Sequence, residues 1–449
     1  MYLKMHLLKP EIEELLKNKD TEEIKELLET FEPVEVTELL RSMSLSQKLS
    51  IFSILDLDFS ARVFEEFEAD EQMEIIEGIN KIRKAELLDE LHPDDRVDFF
   101  QDIPQDLKEQ LLSIMEKKEA RETRELMVYP EETAGGLMTT EFIKVRRNLT
   151  GKQVIDIIRK QAEDVETISD IYVVDENDIL VGVVTLKDLI LANMRRKVKN
   201  IMLPRPVSVP ITLDQEKVAQ EVAKYDINTV PVVDDRGRLK GIITVDDIID
   251  VIKEETAEDM LKFGAAGEHS MHYLKLNPFY LARSRVIWLS VLAFVGIISG
   301  FIISKNSFIL SQVIVLAAFI PLLNGSAGNA GTQAVAVMIQ ALALGEVRFK
   351  DFWKSVRKEF LTGIILGIVL GLLGLLRALF FQKSSLLGIT VGLTLIINTA
   401  LATSLGAVLP LIVKRMNFDP AVISGPLITS IMDVTSLLIY FTLAKLIIL

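Results

Sequence analysis

The stretch SIMDVTSLLIYF, residues 430–441, is apolar except for hydroxyls and one acid, Asp433. A charged side chain in the middle of a membrane span costs about 2.5–3.5 kcal/mol on insertion scales, so a retained carboxylate faces a polar cavity or an ion path. A hard divalent cation prefers several oxygens, more than one carboxylate supplies. A twofold dimer would bring two Asp433 side chains across a shared axis. The remaining oxygens would come from a second polar stretch at membrane depth, PLLNGSAGNAGTQAVAVMIQALALGE, residues 321–346. There Gly325, Gly328 and Gly331 recur every third residue among Asn324, Asn329, Thr332 and Gln333. Glycines let helix backbones approach closely, and polar or irregular backbone at that depth is tolerated only where protein buries it or a water-filled cavity faces it. A tight packing seam and a pore lining with freed carbonyls both fit; the amides favour the pore. Gly363, Gly367, Gly371 and Gly374 lack polar company and read as packing positions. Arg377 is a structural partner for Asp433 by charge, but lies at a different membrane level.

These residues sit on five apolar stretches, at about 286–303, 309–342, 360–381, 386–413 and 421–448, each long enough to be read as a span of roughly 20 residues. The second and fourth are over-long or broken, with Pro321 and Pro410 inside. Lys275, Arg283 and Arg285 precede the first span, Arg348, Lys350, Lys354, Arg357 and Lys358 follow the second, and Lys414 and Arg415 follow the fourth. The positive-inside rule then places the N-terminus in the cytoplasm and the C-terminus outside. The start, MYLKMHLLKPEIEELL, lacks the apolar core of a signal peptide. A multi-pass protein of the inner (plasma) membrane is expected.

From Asn277 onward the chain carries 13 Lys+Arg against 5 Asp+Glu, whereas the residues before it carry 37 against 59. So acidic a soluble half argues against nucleic acid and suits small cations. The absence of cysteine removes disulfides and thiolate metal sites from consideration.

The soluble half holds two repeats. Segments of twelve residues start at Glu32, Ser44, Asp56, Glu68, Asn80, His92 and Pro104, with apolar eighth, ninth and twelfth positions in every copy. This predicts an all-α solenoid of short helices. Further on, ISDIYVVDENDILVGVVTLKDLI (168–190) aligns without gaps on INTVPVVDDRGRLKGIITVDDII (227–249), each reading strand, turn, strand, helix. The pair resembles tandem CBS domains. That resemblance implies a pseudo-twofold α/β module in which Thr185, Asp188 and Thr244 are candidates for holding an adenosine nucleotide, ATP among them; a regulatory module without nucleotide fits equally.

The order of these parts, with VYPEETAGGLMTTEF (128–142), GNAGTQA (328–334) and DPAVISGPLITSIMDV (419–434), resembles the MgtE family of magnesium channels/transporters. The implied fold class is multidomain: an all-α superhelical N-domain (1–130), an α/β tandem CBS pair (131–255), an acidic connecting (plug) helix and link (256–277), and a five-helix α transmembrane pore domain (278–449). The resemblance implies a homodimer with a pore on its twofold axis, the pore aspartate falling on Asp433 and the lining on Gly328, Asn329, Gly331 and Thr332, the last where some members are expected to have Asn. It also implies that intracellular Mg2+ binds between the soluble domains and the connecting helix and holds the pore shut. The acids available are Asp94, Asp95 and Asp98 in the sixth solenoid copy; Asp247 and Asp250, then Glu254, Glu255, Glu258 and Asp259 along the connecting helix; and Asp214, Glu216 and Asp226 in the second CBS copy. Asp250, Glu254 and Glu258 are spaced i, i+4, i+8, where like charges destabilise a helix by a few tenths of a kcal/mol per pair, and divalent cations would relieve them. Mg2+ is expected to pass partly or fully hydrated, since it dehydrates reluctantly. An H+- or Na+-coupled divalent cation exchanger uses the same carboxylate. A membrane-anchored sensor would need no polar break in span two. A CBS-regulated membrane enzyme is disfavoured, because His6, His92, His269 and His272 all lie outside the spans; no enzyme activity is expected.

Overall fold

The computed structural model describes residues 2–267, 276–416 and 418–448, with side chains from residue 8 onward. His269 and His272 lie outside the described residues. Two compact units emerge, Met1–Lys253 and Glu254–Leu449.

The first unit begins with helices α1 to α10, which run Tyr2–Asn18, Thr21–Leu28, Pro33–Arg41, Leu45–Phe52, Leu57–Glu65, Ala69–Gly78, Lys81–Glu90, Pro93–Asp102, Gln105–Leu112 and Lys117–Leu126. Each expected copy start is an N-cap: Glu32, Ser44, Asp56, Glu68, Asn80, His92 and Pro104 each stand one residue before a helix. The cap chemistry is visible at Asn80, whose side chain accepts from the Ile82 and Arg83 amides, and at Ser44, which exchanges bonds reciprocally with Gln47. Every eighth, ninth and twelfth position of the seven copies is buried in one continuous core. Alternate helices pack, α3 on α5, α5 on α7, α4 on α6 and α6 on α8, which is solenoid stacking. The phase extends one copy beyond each end of the seven: Asp20 caps α2 and Glu116 precedes α10. In the last copy the apolar pair is replaced by Thr123 and Arg124, and Thr123 is buried through a bond from its hydroxyl to the Glu119 carbonyl.

Seven short strands follow among the described residues: β1 (Phe142–Arg146), β2 (Thr167–Val174), β3 (Leu180–Thr185), β4 (Leu203–Pro204), β5 (Val209–Pro210), β6 (Thr229–Val233) and β7 (Leu239–Thr244). They form two sheets, β1-β2-β3-β4 and β5-β6-β7. The internal repeat is realised in register, Gly182 opposite Val173 and Gly241 opposite Val232. Close approach demands glycine at 241, where a Cβ would meet the Thr139 carbonyl oxygen at 2.7 Å, while one on Gly182 would meet the flexible Met202 side chain at 2.6 Å and the Leu203 carbonyl oxygen at 3.1 Å. The copies exchange turn hydrogen bonds, the Leu180 amide donating to the Gly237 carbonyl and the Leu239 amide to that of Asp178, both at 3.0 Å. Helices α11 (Gly151–Gln161), α12 (Leu186–Leu191) and α13 (Gln215–Tyr225) pack with these strands. In the second copy the final helix, α14 (Val245–Phe263), runs on through the expected 255/256 boundary as one uninterrupted connecting helix.

Among its described residues the second unit contains five helical segments long and apolar enough to cross a membrane. They are α15 (Pro278–Lys305), α17 (Ile320–Ala343) preceded by the short α16 (Ser307–Gln312) and a 3-10 turn, α18 (Phe352–Arg377), α19 (Ser385–Arg415) and α20 (Gly425–Ile447). Span two breaks before its polar stretch: Pro321 occupies the first turn of α17, where its missing N–H is not needed. Tyr440 of α20 donates its hydroxyl to the Leu316 carbonyl at the break, 3.0 Å away. The Gly/Asn segment itself is continuous α-helix, so its carbonyls are held by intrahelical bonds and are not freed as the sequence suggested. Span four keeps Pro410 inside a 31-residue helix.

Helices α18 and α19 make the tightest contact of the unit. Gly363, Gly367, Gly371 and Gly374 face α19 as expected, and a Cβ on Gly367 would lie 2.4 Å from Thr399 Oγ1 and 2.6 Å from the Ile396 Cα. That proximity lets Thr399 and Thr403 donate to the Gly363 and Glu359 carbonyls, at 2.9 and 2.7 Å. Gly300 of α15 meets nothing within 4 Å. Gly367→Leu should therefore cost about 3 kcal/mol or more of bundle stability, while Gly300→Ala is tolerated. Thermal unfolding of the two variants in detergent checks the contrast.

Candidate ion path and cation-binding acids

Helices α17 and α20 meet in antiparallel register. A Cβ on Gly331 would fall 2.5 Å from the Ile428 side chain, one on Gly328 2.9 Å from that of Thr429, and one on Gly425 2.9 Å from that of Thr332. Thr332 donates to the Gly425 carbonyl at 3.3 Å, and its hydroxyl lies 3.4 Å from that of Thr429. Asp433 is one helical turn beyond Thr429, which the antiparallel register sets level with Asn324 and Gly325. Its carboxylate is half-buried, and no hydrogen bond or ion pair joins it to the described residues. Arg377 lies instead over the Phe319 ring, 4.9 Å from its centroid.

The expected lining divides in two. Gly328 and Gly331 are buried in the seam, where lack of a side chain admits Thr429 and Ile428. Asn329 is exposed and Thr332 partly so, and with exposed Gly325 and Gln333 they mark an open stripe along α17. The seam and lining readings thus hold for different faces of one helix. Gly325 and Gln333 extend the stripe at i, i+4 and i+8, a spacing the sequence displays but does not orient.

In the first unit, Asp94 and Asp95 occupy the first turn of α8. Asp94 is buried, and its Oδ1 has no hydrogen-bond partner. Burial, with the charges of Asp95, Asp247 and Glu166, holds its carboxyl well above the usual range. Asp95 opens to solvent on one side, yet partial desolvation and the charges of Glu65, Asp247 and Asp98 push it up as well. Asp247 is raised by desolvation and Asp246, against its hydrogen bonds from the Thr244 hydroxyl, at 2.6 Å, and amide. Glu66 is raised by desolvation and then by Asp250. Asp94, Asp95 and Asp247 are therefore one electrostatically connected group, reinforced by Glu65 and Glu166, which sequence reasoning missed because they lie in separate segments. Asp98 and Asp250 stand at its margin, Asp250 also pairing with Lys253 at 2.6 Å. Asp214 and Glu216 lie at the N-terminus of α13 and Asp226 at its left-handed C-cap, all three exposed, so they do not form one site within this chain.

Both Thr-x-x-Asp motifs serve as helix caps. Thr185 donates to Asp188 at 2.8 Å and accepts from the Asp188 amide, and Thr244 makes the matching bond to Asp247. On the part of α14 in the second unit, Glu254 is exposed and Glu255, Glu258 and Asp259 are half-buried. Lys262 pairs with Glu258, and at 2.9 Å with Asp419.

Three family models match: "MgtE intracellular N domain" over residues 31–132, "CBS domain" over 134–195 and 198–254, and "Divalent cation transporter" over 320–443. The magnesium transporter MgtE of Thermus thermophilus is 39% identical over 338 residues, 75% of each chain. The chain belongs to the MgtE family. A second MgtE, from Bacillus subtilis, is 37% identical over 82% of this chain and 81% of its own. A crystal structure of the cytosolic domain of the Mg2+ channel MgtE in complex with ATP superposes with a TM-score of 0.52 at 37% identity, covering 54% of this chain and all of that one. As a member of this family, with five candidate spans, the chain is a multi-pass membrane protein with an intracellular N domain. Among MgtE acids, Asp419 lies within the DPAV stretch that carried the resemblance, but its pairing with Lys262 is a fact of tertiary structure alone.

The raised carboxyls give a signed expectation. A carboxyl whose folded pKa exceeds its unfolded value adds stability at low pH, and loses it as pH rises through the folded value. Near neutral pH without divalent cations, Asp94 is thus a net cost. Asp94→Asn in chelator should raise the unfolding temperature of the full chain by about 2–4 °C, and should shrink the further rise that millimolar Mg2+ produces in the unsubstituted chain. Calorimetry in chelator and in Mg2+ measures both.

Proposed function

We propose that the chain forms a homodimeric Mg2+ channel of the inner membrane, with Asp433 at its selective constriction and its gate closed by intracellular Mg2+. The carrying observation is the exposed Gly325–Asn329–Gln333 stripe of α17 beside the half-buried Asp433. Amides and an acid at that depth cannot face hydrocarbon, so they require a water-filled cavity or a second chain. A twofold axis along the stripe meets both needs and supplies two carboxylates with amide and hydroxyl oxygens to a hydrated cation. Mg2+ as the cargo follows from the relatives' names. The positive-inside bias sets the C-terminus outside.

For gating, Asp94, Asp95 and Asp247, with Asp98 and Asp250 at the edge and Glu254, Glu255, Glu258 and Asp259 farther along α14, are the carboxylates that Mg2+ would neutralise. Without cations their repulsion favours separation of the elements carrying them, and the motion of α14 opens the pore. Asp214, Glu216 and Asp226 are open to a second subunit. An adenosine nucleotide would sit near Thr185, Asp188 and Thr244, a reading supported by the ATP complex of the related cytosolic domain.

Mg2+ flux into proteoliposomes tests this, with Mg2+ varied on the soluble-domain side and no H+ or Na+ gradient imposed. Flux should fall as soluble-side Mg2+ rises, and Asp433→Ala should abolish it. Flux that appears only with an imposed H+ or Na+ gradient would replace the channel with a coupled exchanger.

A further inference from the structure

Next to the gating acids lies a donor set of different chemistry. His92 Nδ1 is 2.9 Å from Glu141 Oε2 and 3.1 Å from Glu166 Oε2, and one ligand atom from each residue lies within 4.8 Å of the others. Glu141 stands immediately before β1 and Glu166 immediately before β2, and the Glu166 amide donates to the Glu141 carbonyl at 3.0 Å. Parallel strand pairing thus fixes the two carboxylates side by side. His92 arrives from the solenoid as the N-cap of α8, its own amide donated to Glu65 at 3.2 Å. Three segments far apart in sequence converge on one point.

Two further observations point to a cation there. Asp94, two residues along from His92, is only 8% exposed. Its Oδ1 has no hydrogen-bond partner, and the charges of both Glu166 and His92 act on its carboxyl. An acidic cavity of about 560 Å3 is lined by His92 and Glu141 together with Asp58, Glu65, Glu90 and Glu163, giving small cations a route to the cluster. In a six-coordinate site with donors about 2.1 Å from a small divalent ion, neighbouring donors stand about 3.0 Å apart. The His92–Glu141 and His92–Glu166 separations match this without rearrangement. One donor is nitrogen. Mg2+ and Ca2+ take oxygen, whereas imidazole with carboxylate suits borderline transition cations.

We propose that His92, Glu141 and Glu166 bind a divalent transition cation of the Mn2+ to Zn2+ class, tying the solenoid to the first CBS copy at a site of different donor chemistry that adjoins the Mg2+ gating acids. In the metal-free chain His92 Nδ1 is hydrogen-bonded to Glu141, and the His92 pKa is pushed up to about 10 by that bond and by the charges of Glu166 and Glu65, against the opposing effect of burial. Metal binding displaces the Nδ1 proton.

The test uses the full chain in detergent with Mn2+ as the probe, in millimolar Mg2+ to occupy oxygen-only sites. Bound Mn2+ is quantified by electron paramagnetic resonance, and a directly bound imidazole is read from its 14N modulation. One Mn2+ per chain that resists Mg2+ and carries 14N coupling is expected. His92→Gln should remove the coupling and weaken binding by about tenfold or more. Glu166→Gln should weaken binding while keeping the coupling, which decides the matter if the His92 variant does not fold. Mn2+ fully displaced by Mg2+, or retained with 14N coupling that His92→Gln leaves unchanged, would overturn the proposal and leave His92 as the cation of an ion-pair triad. Neither result depends on transport, so failure here leaves the channel reading standing.

Discussion

Carboxylates at close range, with too few cations built into the chain to neutralise them, are the constraint around which the soluble unit is organised. Asp94 is buried at the first turn of α8, where the helix N-terminus favours negative charge, and Asp95, Asp247, Glu65 and Glu166 crowd around it. Among the cationic groups nearby, His92 lies between Glu141 and Glu166, Arg96 is committed to Glu119 at 2.9 Å and Glu122 at 3.4 Å, and Arg62 to Asp58 at 2.8 Å. Such a cluster is affordable only if its charge state can change, by taking up protons or metal ions. The fold therefore holds these carboxyls above their usual range by burial and mutual repulsion.

The membrane unit faces the complementary constraint. Polar groups at depth must be matched inside the protein or turned to water. Most are matched locally, as when Thr399 and Thr403 donate across to α18 and Lys414 donates to the Leu342 carbonyl at 2.8 Å, closing the end of α17. Asn398, buried with neither amide atom partnered, is an exception inside the bundle, whereas Asn329 and Gln333 are exposed and Asp433 half-buried beside the α17–α20 seam. Glycine does two jobs in this unit. It removes bulk where α18 meets α19 and where α17 meets α20, and at Gly325 it leaves open space on the exposed stripe of α17.

Much of this was legible in the sequence because the relevant signals are periodic. The twelve-residue phase located seven N-caps to the residue, and the offset of 59 paired the two CBS copies strand for strand. Helices α2 and α10 escaped notice at the ends of the series, α10 because Thr123 and Arg124 break the apolar pair that defined the repeat. Span count followed from apolar length. What periodicity cannot supply is facing. The same Gly-x-x-Gly rhythm placed Gly328 and Gly331 in a seam while Asn329, one residue on, turned outward. Nor can it supply convergence, since residues 92, 141 and 166 share no pattern and meet only through strand pairing and solenoid stacking. The Lys262–Asp419 pair, 157 residues apart in the chain, was hidden for the same reason.

The stacked short helices of the N-terminal region have a mechanical meaning as well. Because each copy touches chiefly its near neighbours, the continuous core is assembled interface by interface along the stack. A small rotation at each interface is cheap, and the rotations add along the stack. The solenoid therefore behaves as a spring, in which a load applied at the turn before α8 is shared among many soft joints. Its compliance is set by the number of copies, so the length of the array is itself a tunable property of the molecule.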